Sequence, residues 1–387
     1  MPRSRSAPAR GVAIVHPSSS THERRRAGAP AAAPDHDPGE RTVAVVDLRG
    51  LDGLDAAGRR ALSGAHTIAP VWGRATARRL ATRLARTGPV CRVQASGPDA
   101  AVPPARPTPL VSLVLPVLDA QRYLDQTLAA VRAQSFRDFE LIVVDDASSD
   151  DSLAVARRGV EGIPAARIVS LYRNTRKRGA VAVGVALASG RYVMEINADD
   201  VLEPDALERL TQPVRTGVDA DCVFGDHRVI DEAGAFSDES ARRRSRATGR
   251  ADLRRGWVRE ARPRQLAAGL VPAGVCAIVR RDAIGAWPRF TDTHTDYWLA
   301  WRGVRRERVW FVGAPPLARY REHADGITRE FHARRKSFNR VRMDLRILLQ
   351  ARPAEAGILC RRLAVHAFGL VVGPRVRRRI EARSGAR

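Results

Sequence analysis

The sequence predicts an α/β protein built on a mostly parallel sheet flanked by helices. Three observations carry this. From residue 110 onward short apolar runs alternate with amphipathic segments, several of those runs end in small polar and acidic residues, and a Pro-rich stretch separates this region from what precedes it. The 387 residues are enough for one large domain with accessories, and 44% hydrophobic content with only 5% aromatics suits a sheet rich in Ala, Val and Leu.

Residues 1–40 are Pro, Ala, Ser and Arg in no periodic order and are expected to be disordered. Residues 41–98 read as a small α/β unit of unassigned role: "TVAVVDL", "HTIAPVW" and "PVCRVQA" as strands, with "AAGRRALSG" and "ATARRLATRLART" as helices between them. A Pro-rich linker follows at 99–109. The main domain, 110–330, opens with "LVSLVLPVL" as a buried strand and "QRYLDQTLAAVRAQSF" as a helix whose Leu124, Leu128 and Val131 share one face. A second strand runs into a polar loop in "FELIVVDDASSDDS". "ARIVSLYR" is a third strand, "GAVAVGVALAS" a helix and "RYVMEI" a fourth strand. Residues 331–387 form a basic helical extension, read either as a helix packed on the domain or as an amphipathic contact with an anionic membrane surface.

The net charge of +24 is almost all arginine, since Lys177 and Lys336 are the only lysines. Base composition produces such a bias as readily as a polyanionic partner does, so no specific nucleic-acid partner is expected. Four widely spaced cysteines, without CxxC, predict a reducing compartment and no disulfide framework. Neither a signal-like apolar core nor a run of roughly 18 apolar residues is present. The expected location is the cytoplasm, with the inner face of the plasma membrane as the place where a lipid-linked acceptor would be met.

The acidic residues sit where a parallel sheet binds its ligands, beyond the carboxyl ends of strands: Asp145 and Asp146 after one strand, Asn197, Asp199 and Asp200 after another. Neighbouring carboxylates repel and need a cation, a donor array or water to compensate them, of which a divalent metal is the economical answer. A hard ion, Mn²⁺ or Mg²⁺, held by one or two carboxylates and completed by phosphates, makes a nucleotide diphosphate the implied partner. Asp200 has a second reading, as the cap of a helix beginning in "DDVLEPDALERL". The "DDASSDD" loop can equally be a turn with a helix cap, or carry an acceptor for a base or ribose.

Taken together, "LVLPVLDAQRYLDQTLAAVRAQSFRDFELIVVDDASSDDS" and "NTRKRGAVAVGVALASGRYVMEINADD" resemble the opening strand, nucleotide loop and DxD segment of the inverting family 2 glycosyltransferases of the GT-A fold. Downstream, "TDTHTDYWLAWR" is similar to that family's acidic segment and "LARYREHADGIT" to its Tyr-Arg-x-His segment. The resemblance implies a metal-dependent inverting transfer of a sugar from a nucleotide-diphosphate donor to a glycan, lipid-linked or small-molecule hydroxyl. By the same match Asp296 is the catalytic base, with His294 as fallback. Pro116, Asp119, Asp145, Asp146, Arg178, Asn197 and Asp199 bind nucleotide, Asp199 and His323 bind the metal, and Arg321 assists the leaving group. Departures are Asn197 for the first Asp of DxD, Thr295 for the Glu before the base, Asp119 for Asn, and Arg176 and Ala182 for Gly and Asn. They motivate the alternative of a catalytically silent nucleotide-sugar binding module. The run Arg176, Lys177, Arg178 reads either as a diphosphate contact or as a solvated charge run. Tyr297 and Trp301, four apart, read as a core stripe.

Overall fold

The computed structural model describes residues 12–17, 43–47, 67–71, 91–94, 108–163, 165–171, 173–268, 276–284, 295–323 and 333–371. Its centre is formed by β5 (Val111–Val117), β6 (Phe139–Asp145), β7 (Ala166–Leu171) and β8 (Tyr192–Glu195). They pair in parallel in the order β8, β5, β6, β7. Strands buried on both faces read as continuous apolar runs, and "VSLVLPV" and "FELIVVD" are such runs. The exception, Glu140, is buried beside Ser112, whose hydroxyl donates to Glu140 Oε1 at 2.5 Å.

Helices cover both faces. On one lie α1 (Leu124–Arg132) and α2 (Ser152–Gly159), packed on Leu113, Leu115, Leu141 and Val143. On the other lie α3 (Arg176–Leu187) and α8 (Thr295–Val304), packed on Val114, Ile142 and Val144. The close approach of α3 needs Gly184, where an added Cβ would stand 2.3 Å from Val114 Cγ1. Helices α4 (Ala206–Arg215), α5 (Asp238–Ala247), α6 (Ala261–Ala268) and α7 (Arg281–Ile284) complete the domain. Of the stripe read as core, Trp301 is buried and Tyr297 half-buried against the core, with Trp298 buried beside them, and Arg262 stacks over the Trp301 ring.

Beyond β8 the sheet continues through β13 (Ala277–Arg280), β10 (Cys222–Phe224), β14 (Val309–Phe311) and β12 (Gly256–Trp257). Beyond β7 come β3 (Thr67–Val71), β2 (Val43–Asp47), β1 (Val12–Pro17) and β4 (Cys91–Gln94). The three strands expected within 41–98 are therefore present, and the helices expected between them lie outside the described residues. Within residues 1–40, expected to be disordered, "VAIVHP" is instead a strand, antiparallel to both β2 and β4, and the rest of that segment lies outside the described residues. The strand's run of four apolar residues is long enough to pair even within a polar, Pro-rich segment.

A second, three-stranded sheet shapes the site. β15 (Ala318–Arg321) lies between β11 (His227–Ile230), its parallel neighbour, and β9 (Val201–Leu202), its antiparallel one. The pairing of Val201 with Arg319 brings the residues just before β9 alongside those that end β15. Asp199, Asp200, Arg321 and His323 meet for this reason.

In the C-terminal extension α9 (Ala333–Leu348) and α10 (Ala356–Val371) pack on each other, and Met343, Ile347 and Leu359 enter the domain core. Arg262 donates from Nε and Nη2 to the Glu355 carboxylate at 2.9 and 2.8 Å, with both side chains buried. No helix among the described residues is long and apolar enough to cross a membrane.

Candidate active site

A cavity of about 480 Å³ opens at the carboxyl ends of β5, β6 and β8. Its wall includes Pro116, Asp119, Asp146, Asn197, Asp199, Asp296 and His323, seven positions expected to carry the chemistry, together with Lys177 and Tyr123. Asp145 and Arg178 do not line it. Asp145 is buried at the end of β6 and accepts the Ser148 amide at 3.2 Å, which makes it the brace of the polar loop. Arg178 is half-buried on α3, one residue past the position that faces the cavity.

Asp119 and Asp146 tie the loops together. Asp119 Oδ1 accepts the amide and hydroxyl of Ser149 at 2.7 and 3.1 Å. Its backbone is left-handed at φ 46°, which Asp tolerates better than most residues. Asp146 Oδ1 accepts the amide and hydroxyl of Thr175, both at 2.7 Å, whereas Oδ2 is buried without a hydrogen-bond partner. Burial pushes this carboxyl up to about 6 against the opposing pull of Thr175, and Asp145 adds to the rise. A buried acceptor left open on a cavity wall is a place for a donor on a bound base or ribose.

The Asn197 to Asp200 turn is divided between structure and ligand. Asp200 points inward: Oδ1 accepts the Arg321 amide at 2.9 Å and Oδ2 the Asn197 side-chain amide at 2.6 Å. Burial and the neighbouring Asp199 raise it to about 8. It caps no helix, because β9 intervenes and α4 starts only at Ala206. The Arg321 guanidinium, expected to assist a leaving group, is committed elsewhere. It donates to the carbonyls of Asp199, Asp231 and Glu232 and to Gln126 Oε1, and it stacks over Tyr123. Its work is to hold the Asp199 backbone.

Asp199 is then the carboxylate of this turn that faces the cavity. His323 Nε2 stands 2.9 Å from its Oδ2, and the imidazole packs edge-on against Tyr123. One carboxylate and one imidazole side by side fit a hard divalent ion whose other positions are taken by phosphates and water. A cage built from three or more acidic, Cys or His side chains is absent among the described residues.

Asp296 begins α8, and its Oδ1 accepts the amide of Tyr297 at 2.8 Å. The preceding Thr295 is fully buried and donates its hydroxyl to Glu195 Oε1 at 2.8 Å, which pins the start of α8 to the end of β8. His294, the fallback base, lies outside the described residues. Lys177 reaches Glu195 Oε1 at 2.8 Å and Asn197 Oδ1 at 2.6 Å. Burial pulls its ammonium down, but Glu195, Asp296 and Asp199 outweigh that and leave it raised. Sequence reasoning did not single out Glu195. It lies inside an apolar run, and its burial is explained by the Lys177 ammonium and the Thr295 hydroxyl that meet it there.

These features place the molecule among α/β proteins that bind a ligand across the carboxyl edge of a parallel sheet. Residues 112–287 match the model of Glycosyl transferase family 2. The chondroitin synthase of Escherichia coli is 31% identical over 126 residues, 33% of this chain and 18% of that protein. The O-antigen biosynthesis protein RfbC of Myxococcus xanthus is 30% identical over 241 residues, 55% of this chain and 19% of that protein. The matches thus span less than a fifth of either relative. Among solved structures, S. aureus TarS 1–349 in complex with UDP aligns at 15% identity and TM-score 0.48, over 66% of this chain and 70% of that one.

Proposed function

We propose that the chain transfers a sugar, with inversion, from a nucleotide diphosphate to a hydroxyl acceptor. The observation that supports this best is the convergence of Asp146, Asp199, His323 and Asp296 on one cavity from four separate segments of the family 2 region and its C-terminal flank. The open Oδ2 of Asp146 receives a donor from the base or ribose. Asp199 and His323 would hold Mn²⁺ or Mg²⁺, which when bound neutralises charge at the departing diphosphate. Asp296 takes the proton of the acceptor hydroxyl as that oxygen attacks the anomeric carbon from the face opposite the nucleotide. Thr295 and Glu195 keep α8, and so Asp296, against the sheet.

The test is nucleotide release from UDP-, GDP- and dTDP-sugars, with the anomeric configuration of any product read by NMR. Asp296→Ala should lower turnover by about 10²- to 10⁴-fold while nucleotide binding persists. A folded wild-type protein that binds nucleotide yet releases none from any donor, with acceptors supplied, would favour the silent binding module. The reading extends to a lipid-linked acceptor met at an anionic membrane surface. It is supported by exposed Leu345, Leu349, Val365 and Phe368 on the basic C-terminal helices. Co-sedimentation with phosphatidylglycerol vesicles, reduced in Val365→Ser/Phe368→Ser, checks that extension.

A further inference from the structure

We propose that Lys177 is a built-in cation of the donor site, binding the diphosphate of the nucleotide directly, so that donor binding does not depend wholly on a divalent metal. This rests on the reading of the cavity as a nucleotide-sugar site.

An ammonium has three donors. Two of those on Lys177 go to Glu195 Oε1 and Asn197 Oδ1, and among the described residues the third has no protein acceptor. The side chain is 18% exposed, and it is exposed to the cavity, whose wall it forms. It shares that cavity wall with both Asp199 and Asp296. A diphosphate lying along that wall would present its oxygens to the free N–H.

The other cations of the wall are placed differently. Arg122 pairs with Glu232 at 3.2 Å and Arg244 with Glu322 at 2.6 Å, and their side chains are 57% and 37% exposed. Arg243 is exposed and bonds Ser240. Arg321 is committed to three carbonyls and Gln126. Lys177 is more buried than the first three and, unlike Arg321, holds no backbone carbonyl. Glu195 fixes its position at the cost of a buried ion pair, and the pair leaves the ammonium pre-oriented for an anion. Asn197 works in the same direction. As a neutral acceptor it holds Lys177 without adding a second carboxylate to compete with phosphate.

The experiment is calorimetric titration with UDP, GDP and dTDP, each in EDTA and in Mn²⁺, and with the corresponding nucleosides. Lys177→Gln alone would strand the buried Glu195 carboxylate, so the variant is Lys177→Gln/Glu195→Gln, with its fold checked by circular dichroism. Wild type should bind one nucleoside diphosphate in EDTA. The double variant should bind it about tenfold or more weakly, as loss of a charge-assisted hydrogen bond implies, with nucleoside affinity unchanged. Equal diphosphate affinity of wild type and variant in EDTA, or wild-type binding in Mn²⁺ but none in EDTA, would overturn the role of Lys177 and leave the donor site standing. Absence of wild-type binding under both conditions would overturn the donor site itself, and this inference with it.

Discussion

At the scale of single residues, the site separates groups by where their charge is spent. Asp146 and Asp200 are both pushed up by burial, yet of the two only Asp146 keeps a carboxylate oxygen without a hydrogen-bond partner. Because the folded state holds the Asp146 proton more tightly than the unfolded chain, its contribution to stability is complete below about pH 4 and is lost as pH rises to about 6. Asp200, also raised, adds a decline common to both proteins, so in urea unfolding over this range wild type should lose about 2 to 3 kcal/mol more than Asp146→Asn. Arg176 is held at φ 64°, which explains why the family resemblance favours Gly there. Arg176→Val should lose about 1 to 2 kcal/mol, since a β-branched residue suits that backbone worst, and a melting curve would read it. The carboxylates were legible in the sequence because they interrupt apolar runs at strand ends. Lys177 against Arg178 was not. Successive residues on a helix point about 100° apart, and "GAVAVGVAL" buries nearly all of α3, so it offers no polar face from which to take the phase.

At the scale of elements, two junctions set the site. α3 lies on β5 through Gly184, and Gly184→Ala should destabilise by about 1 to 3 kcal/mol through overpacking against Val114, measured by denaturant unfolding. α8 is pinned by the Thr295 hydroxyl on Glu195. Thr295→Val should cost about 1 kcal/mol and reduce kcat while nucleotide affinity holds, because the change moves the base and leaves the donor wall in place. The parallel strands were readable from their apolar runs. The three-stranded sheet was not: β9 has two residues, and its pairing with β15 joins positions more than a hundred residues apart. Nor could the sequence show that Asp200 turns inward, since that follows from the Arg321 amide beside it. His323 was legible only through its neighbours in "YREH".

At the scale of the whole molecule, one sheet runs from the N-terminal strands to β12, and the C-terminal helices are fastened to α6 by the buried pair of Arg262 and Glu355. Removing one partner strands the other charge, so Glu355→Ala should cost about 3 to 5 kcal/mol in urea unfolding. The proposed donor site lies in the middle of this sheet, at its carboxyl edge, and rests on Asp199 facing a nucleotide diphosphate with a divalent ion between them. The most direct measurement is calorimetric titration with UDP, GDP and dTDP, with and without Mn²⁺, on wild type and Asp199→Ala. The account predicts that one nucleotide binds more tightly with Mn²⁺ and that this gain vanishes in Asp199→Ala while the metal-free affinity remains. A folded wild-type protein that binds none of the three, or an Asp199→Ala variant that keeps the full gain from Mn²⁺, would contradict it.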